Sequence, residues 1–215
     1  MHEAQHVRHG RAGGPMTFLS DAPLDPQVEQ MYATDLDLQG YVANQTRLWA
    51  HSPESLTLLS YVLKRAADAA GLTARQRALV VTTCASTLGD AYCSLAFGTK
   101  LAGVAGEGTA ERAVTGDDGG LSPAERALVG LTRQMVRDPN STTAEHVEAL
   151  RSVGYDDHQI FAIALFVALR LAYATVNDAL GAVPDAELVA HAPVGVRAAV
   201  DFGRQPAGAG RAEGV

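Results

Sequence analysis

Cysteine is scarce in this sequence: Cys84 and Cys93 are the only two among 215 residues. Two thiols cannot build a disulfide framework, which excludes a small cross-linked scaffold. Positive charge is also in deficit, with 17 Lys and Arg against 24 Asp and Glu and a formal charge of −7. A phosphate-binding surface needs the opposite balance, so nucleic acid is not an expected partner. No uninterrupted apolar run reaches the ~18–20 residues of a membrane helix; the longest, residues 160–176, is broken by Arg170. Residues 1–15 carry His and Arg but lack the apolar segment of a secretory signal. Glycine-rich phosphate loops, dinucleotide fingerprints and clusters with metal-ligand spacing are missing too. Alternating β-branched runs, the mark of half-buried strands, are absent. The expectation is a soluble, cytoplasmic protein with no cofactor, no metal, and no membrane or nucleic-acid partner.

What is present reads as helix. Hydrophobic residues make up 47%, enough for one compact core. Leu56, Leu59, Val62 and Leu63 repeat at helical spacing, as do Leu79, Val80, Thr83 and Thr87. Ser52-Pro53 reads as an N-cap followed by proline at the first helical position. Capping boxes are expected at Thr73–Gln76, Ser122–Glu125, Thr142–Glu145 and Asp156–Gln159, and stops at Gly71, Gly103, Gly154 and Gly181. These signals predict helices over 26–36, 41–50, 53–69, 74–87, 91–103, 123–137, 143–153 and 157–180. Residues 115–120 read as a flexible linker. The ends, 1–15 and 201–215, read as unstructured tails around one domain spanning 16–200, and Met16 is an alternative start. Residues 73–80 resemble 122–129 at an offset of 49 (122 − 73), which suggests two related helical hairpins in one core.

Chemistry concentrates in residues 73–103. One helix breaks at Leu88-Gly89, Asp90 caps the next, and Cys93 sits in its first turn. Free N–H groups there favour a thiolate, while the nearby Asp90 carboxylate opposes it. Asp90 reads equally as an acid/base or as a plain N-cap. Cys84 lies nine residues before Cys93, about 13 Å along a continuous helix and on its opposite face, too far for a disulfide.

Arg77-Ala-Leu-Val-Val81, Leu88-Gly-Asp-Ala-Tyr-Cys-Ser-Leu-Ala-Phe-Gly98 and Lys100-Leu-Ala-Gly-Val104 resemble the alkylhydroperoxidase D-like (AhpD-like) / carboxymuconolactone decarboxylase superfamily. The resemblance runs on through Leu121-Ser-Pro-Ala-Glu-Arg-Ala-Leu128, residues 149–157 and Asn177-Asp-Ala-Leu-Gly181, and covers about residues 40–185. It implies an all-α, AhpD-like helical domain that assembles as a homo-oligomer, a trimer or hexamer, with a dimer also open. Redox members carry a helix-start Cys-x-x-Cys, a glutamate twelve residues before the first cysteine and a histidine four after the second. Here Cys93 holds the second cysteine position, with Tyr92 between. Asp90 replaces the first cysteine, Ala78 the glutamate and Phe97 the histidine. The paired thiols and the proton relay of that chemistry are therefore missing.

The helix over 157–180 is apolar nearly all round, as expected of a core or interface helix, with Arg170 in its middle. A buried guanidinium requires a partner: an acid such as Asp90, an acid across an interface, or a substrate carboxylate or enolate; the alternative is a side chain that snorkels to water. Tyr173, one turn on, supplies a phenol to the same face. Trp49 and His51 precede the Ser52-Pro53 cap and complete the candidate set. The leading expectation is a cofactor-independent lyase, isomerase or cyclase acting on a small, largely apolar molecule. Asp90, Tyr92 and Cys93 are its candidate catalytic residues; Arg170, Tyr173, Phe97, Trp49 and His51 would bind substrate. The alternatives are a single-cysteine peroxidase using Cys93 and a non-catalytic binding or subunit-interaction protein.

Overall fold

The structure is a computed structural model and describes residues 16–206. Both outer tail segments, 1–15 and 207–215, lie outside the described residues, as do His2, His6 and His9. Among the described residues the fold is all-α: α1 (Pro26–Gln39), α2 (Asn44–Trp49), α3 (Pro53–Ala69), α4 (Ala74–Leu88), α5 (Ala91–Ala105), α6 (Glu107–Thr115), α7 (Pro123–Arg137), α8 (Ala144–Ser152), α9 (Asp157–Ala179), α10 (Ala186–His191) and α11 (Val194–Ala199).

The eight expected helices are all present. Three others, α6, α10 and α11, carry no side-chain cap and so gave no start signal. Packing holds α6 and α11 instead: Ala110, Ala113, Val114 and Val196 are buried in a cluster with Leu95 and Leu101 of α5. Local signals differ from expectation at four places. Gly103 lies inside α5, whose stop is Gly106. The α8 box is Thr143 with His146, one residue later than Thr142–Glu145. Ser52 bonds the Ser55 hydroxyl at 2.7 Å rather than a backbone N–H. Finally, the expected linker at 115–120 is an ordered turn, tied by Arg112 Nε donating to Gly119 O and by an Asp118–Arg133 ion pair at 2.8 Å.

The internal repeat has a structural counterpart. Thr73 and Ser122 both close capping boxes. In each copy the equivalent arginine, Arg77 or Arg126, donates to the carbonyl five residues back, Leu72 or Leu121. A buried carboxylate joins the copies: Glu125 Oε1 accepts from Arg75 Nε at 2.5 Å. Helices α4 and α5 form one hairpin, α7 and α8 the other, and α4 packs on α7.

Two apolar clusters result. Val80, Leu128, Leu150, Ile163 and Val167 centre the first, between α3, α4, α7, α8 and α9. Leu79, Leu101 and Val129 centre the second, between α4, α5, α6, α7 and α11. Helix α9 is long and apolar enough to cross a membrane by length and composition, its one arginine notwithstanding. Here it packs against α3, α4, α7 and α8.

Candidate active site

The α4–α5 turn fixes the site. Gly89 takes a left-handed φ of +85°, and the Asp90 N–H closes back onto Ala85 O at 2.9 Å. The chain reverses at once, because Asp90 Oδ1 accepts from Cys93 N at 2.9 Å and caps α5. One side chain thus ends the turn and starts the helix, with 0% exposure. Among the described residues its second oxygen, Oδ2, has no hydrogen-bond partner. Burial raises the carboxyl's pKa against the pull of Cys93 and of the Arg170 charge.

Cys93 is 2% exposed. Arg170 reaches it from α9, with Nη2 at 3.8 Å from Sγ. Burial first, then Asp90, pushes the thiol well above its ordinary pKa, and Arg170 does not outweigh them. Cys84 is buried as well, and burial pushes its thiol up to about 12. Because the hairpin folds back at Gly89, Cys84 feels both Arg170 and Asp90. The straight-helix separation of the two cysteines therefore does not apply, and both remain free thiols.

Arg170 is 9% exposed and makes no ion pair among the described residues. Aromatic rings surround it: its Cζ lies 4.5 Å from the Phe97 centroid and 5.1 Å from that of Tyr173. Tyr173 in turn stacks on Trp49 at 5.1 Å and donates to Gln45 Oε1 at 3.0 Å. Trp49 Nε1 donates to Asn177 Oδ1 at 2.9 Å. Asp90, Cys93, Arg170, Phe97, Tyr173 and Trp49 thus form one connected cluster.

Tyr92 and His51 stand apart. The Tyr92 hydroxyl donates to Asp185 Oδ2, and its ring packs with Leu48 and Ala182, away from Arg170. Side chains successive on a helix point about 100° apart, so Tyr92 and Cys93 serve different neighbourhoods. His51 is exposed, and its Nε2 lies 2.9 Å from Ser20 O, in the segment before α1.

Three polar residues belong near this centre that sequence reasoning did not assign, Lys100, Asn177 and Asp178; a fourth, Asp185, stands with Tyr92 outside it. The Lys100 ammonium sits 4.4 Å from the Phe97 centroid, and burial and Arg170 lower its pKa. Burial and Asp90 raise Asp178 to about 6, against Arg204. Part of the segment read as a tail lies here too: Arg204 Nη2 donates to Asp178 O, and a Cβ on Gly203 would meet Gly89 O at 2.5 Å. Residues 203–204 therefore lie over the Gly89–Asp90 turn. A composition of Gly, Ala and Arg gave no sign of this, because the contacts are a close backbone approach at Gly203 and a single arginine reaching a distant carbonyl.

Two cavities flank the centre. A crevice of about 190 Å³ is lined by Leu63, Ala67, Val81, Phe97, Phe166 and Arg170, with Lys64 and Arg77 at its polar edge. A larger groove of about 690 Å³ touches Tyr41, Gln45, Tyr92, Lys100 and His191. Cys93 and Asp90 line neither; they lie one layer deeper, behind the Arg170 guanidinium. Among the described residues, no group of three or more His, Cys, Asp or Glu is arranged to hold a metal ion.

No protein-family model and no curated protein matches the chain. Solved structures do. A peroxidase-related protein with an alkylhydroperoxidase AhpD core, from Ralstonia eutropha JMP134, superposes with a TM-score of 0.70 at 20% identity, over 81% of this chain and 95% of that one. A peroxidase-related protein from Silicibacter sp. TM1040 gives 0.70 at 20% identity, over 83% and 96%. The debrominase Bmp8 gives 0.66 at 16% identity, over 87% and 98%; a cysteine-to-alanine variant of it was solved with 2,3,4-tribromopyrrole. The fold is AhpD-like.

Proposed function

We propose that this chain is an enzyme on the AhpD-like fold that uses no bound cofactor. Its substrate is a small, largely apolar organic molecule held in the crevice at Phe97 and Arg170. The reaction is of lyase, isomerase or cyclase type and turns on proton transfer. The supporting observation is the pairing of two incomplete groups in an apolar setting. Asp90 is a fully buried carboxyl with one oxygen unpartnered, and Arg170 is a buried guanidinium without a carboxylate. A carboxyl whose pKa is raised by burial is suited to holding and exchanging a proton nearer neutral pH. Arg170 turns from Cys93 toward the substrate and stabilises negative charge as it develops. The Cys93 thiol then stands between Asp90 and the crevice. That a relative in fold was solved with a small brominated ring supports a single-ring molecule as the kind of substrate this scaffold holds.

A second reading is a ligand-binding protein without turnover. The separation of the crevice from Asp90 and Cys93 by Arg170 favours it. A single-cysteine peroxidase draws less support, since it needs a thiolate and both burial and Asp90 hold Cys93 protonated. Assembly with further copies belongs to the proposal as well; Tyr61 on α3 and Phe161 on α9 are 63% and 69% exposed and apolar.

The test uses a library of small carbonyl compounds, lactones and organic acids, followed by mass spectrometry of products. Asp90→Asn keeps an oxygen to cap Cys93 N but removes the exchangeable proton. It should lower kcat about 10²–10⁴-fold with binding intact. Unchanged turnover by Asp90→Asn removes Asp90 from the mechanism. Binding with no turnover by the unaltered protein selects the second reading.

A further inference from the structure

Five of the eight residues that line the crevice are apolar, and the other three, Lys64, Arg77 and Arg170, are cations. Arg170 is more than nine-tenths buried, Nη2 faces only the soft sulfur of Cys93, and Nε has no acceptor at all among the described residues. The groups that face it are Cys93, Asp90, Cys84, Lys100 and the rings of Phe97 and Tyr173. Of these Asp90 is the only carboxylate, and it makes no ion pair with the guanidinium. Lys100 adds a second positive charge against the same Phe97 ring, rather than compensating the first. The other acid near this crevice is already engaged: Asp68 pairs with both Lys64 and Arg77.

A guanidinium so placed has given up water without gaining a counter-ion, and a planar fork is the donor geometry that suits a carboxylate. From this we infer that the crevice is a site for a small monoanion: a planar, apolar ring or short chain carrying one carboxylate. The apolar body lies among Leu63, Val81, Phe97 and Phe166, and the carboxylate meets the accessible edge of Arg170. A cavity of about 190 Å³ suits a body of roughly a single ring. The inference deepens the function proposed above by naming the substrate class, and it relies on that proposal only in calling the bound acid a substrate.

Binding is tested without turnover, so the two can fail separately. Trp49 is the chain's one tryptophan and stacks on Tyr173, whose ring lies against Arg170; it therefore reports on the site. Benzoate and its neutral isostere benzamide are titrated against Trp49 fluorescence in the full-length protein. Benzoate should give a saturable response and bind at least about tenfold more tightly than benzamide, with added salt weakening only the acid. Arg170→Gln should erase the preference. Arg170→Lys keeps the charge but loses the fork, and should weaken benzoate about tenfold while leaving benzamide unchanged; it stands in should the glutamine variant not fold. Equal binding of acid and amide overturns the inference. So does the absence of any benzoate response, the outcome expected if a carboxylate from a second copy already occupies Arg170. Unaltered benzoate affinity in Arg170→Lys overturns it as well.

Discussion

Asp185 offers a quantitative check on how this fold balances buried charge. It stands just before α10, yet it works on two other helices. Its Oδ1 accepts from Asn44 N at 2.8 Å, supplying the cap that Ala43 cannot give α2. Its Oδ2 takes the Tyr92 hydroxyl of α5. Burial, working against these two hydrogen bonds, raises its pKa from 3.8 to about 6. The folded protein therefore holds this proton more tightly than the unfolded chain. As pH rises past about 4 the unfolded chain releases it first, so stability falls, and goes on falling until the folded carboxyl ionises near 6. A shift of about two units at 1.36 kcal/mol each corresponds to about 3 kcal/mol lost across that window. Asp178, also raised to about 6 but only half-buried, adds a smaller change of the same sign, and the buried Asp90, whose pKa burial also raises, adds its own. Asp68, Asp138 and Glu145 have lowered values, so their contribution fades only as pH drops toward the bottom of the window. Urea unfolding at several pH values between about 4.5 and 7 should show the decline, and Asp185→Asn should flatten part of it, leaving the share of Asp90 and Asp178. A wild-type profile that is level or rises through this range refutes the reasoning, as does an equal slope in Asp185→Asn.

Two further outcomes follow from burial and pairing. Neither Cys84 nor Cys93 should react with a disulfide reagent in the native protein near pH 7, and both should react at once in urea, because both are buried and both thiols are held protonated; fast native labelling of one thiol contradicts this. Glu125→Ala strips Arg75 of its partner and breaks the α7 capping box in one step. Since Arg75 is about one-third exposed and solvent screens part of the loss, the expected destabilisation is about 1–3 kcal/mol in urea titration; Glu125→Gln, which keeps the box, should cost less.

The architecture was largely legible because α4, α7 and α9 announce themselves locally. A capping box is a contact between residues three apart, so its signal sits within four letters of sequence. Helices α10 and α11 carry no such signal, since what holds them is contact with distant residues: Val196 packs into the cluster around Leu101. The same division runs through the site. Asp90 and Cys93 were readable as a cap and a first-turn thiol, a relation internal to one turn of α5. Neighbouring positions did not imply neighbouring roles, and Tyr92 points instead to Asp185, 93 residues on. Nor did any pattern reveal that the trans-cap of α2 comes from Asp185 or that Lys100 and Arg170 share one ring.

Arg170 is where the two levels meet. Sequence showed a charge in the middle of an apolar helix and posed a choice between an internal ion pair and an external one. The fold rejects an internal ion pair: among the described residues no carboxylate pairs with Arg170, although Asp90 lies close enough for each charge to bear on the other. Contact between the two would have lowered the Asp90 pKa and neutralised the guanidinium together. Instead the Asp90 carboxyl is turned to cap Cys93 N and keeps a raised pKa, while the guanidinium is faced with sulfur and aromatic rings. Each group is left in the state that the other's neutralisation would abolish. An arrangement built only for stability has no reason to keep both incomplete, because exchanging such a pair for apolar side chains is often neutral or favourable. A site that must bind an anion and move a proton has a reason to keep both.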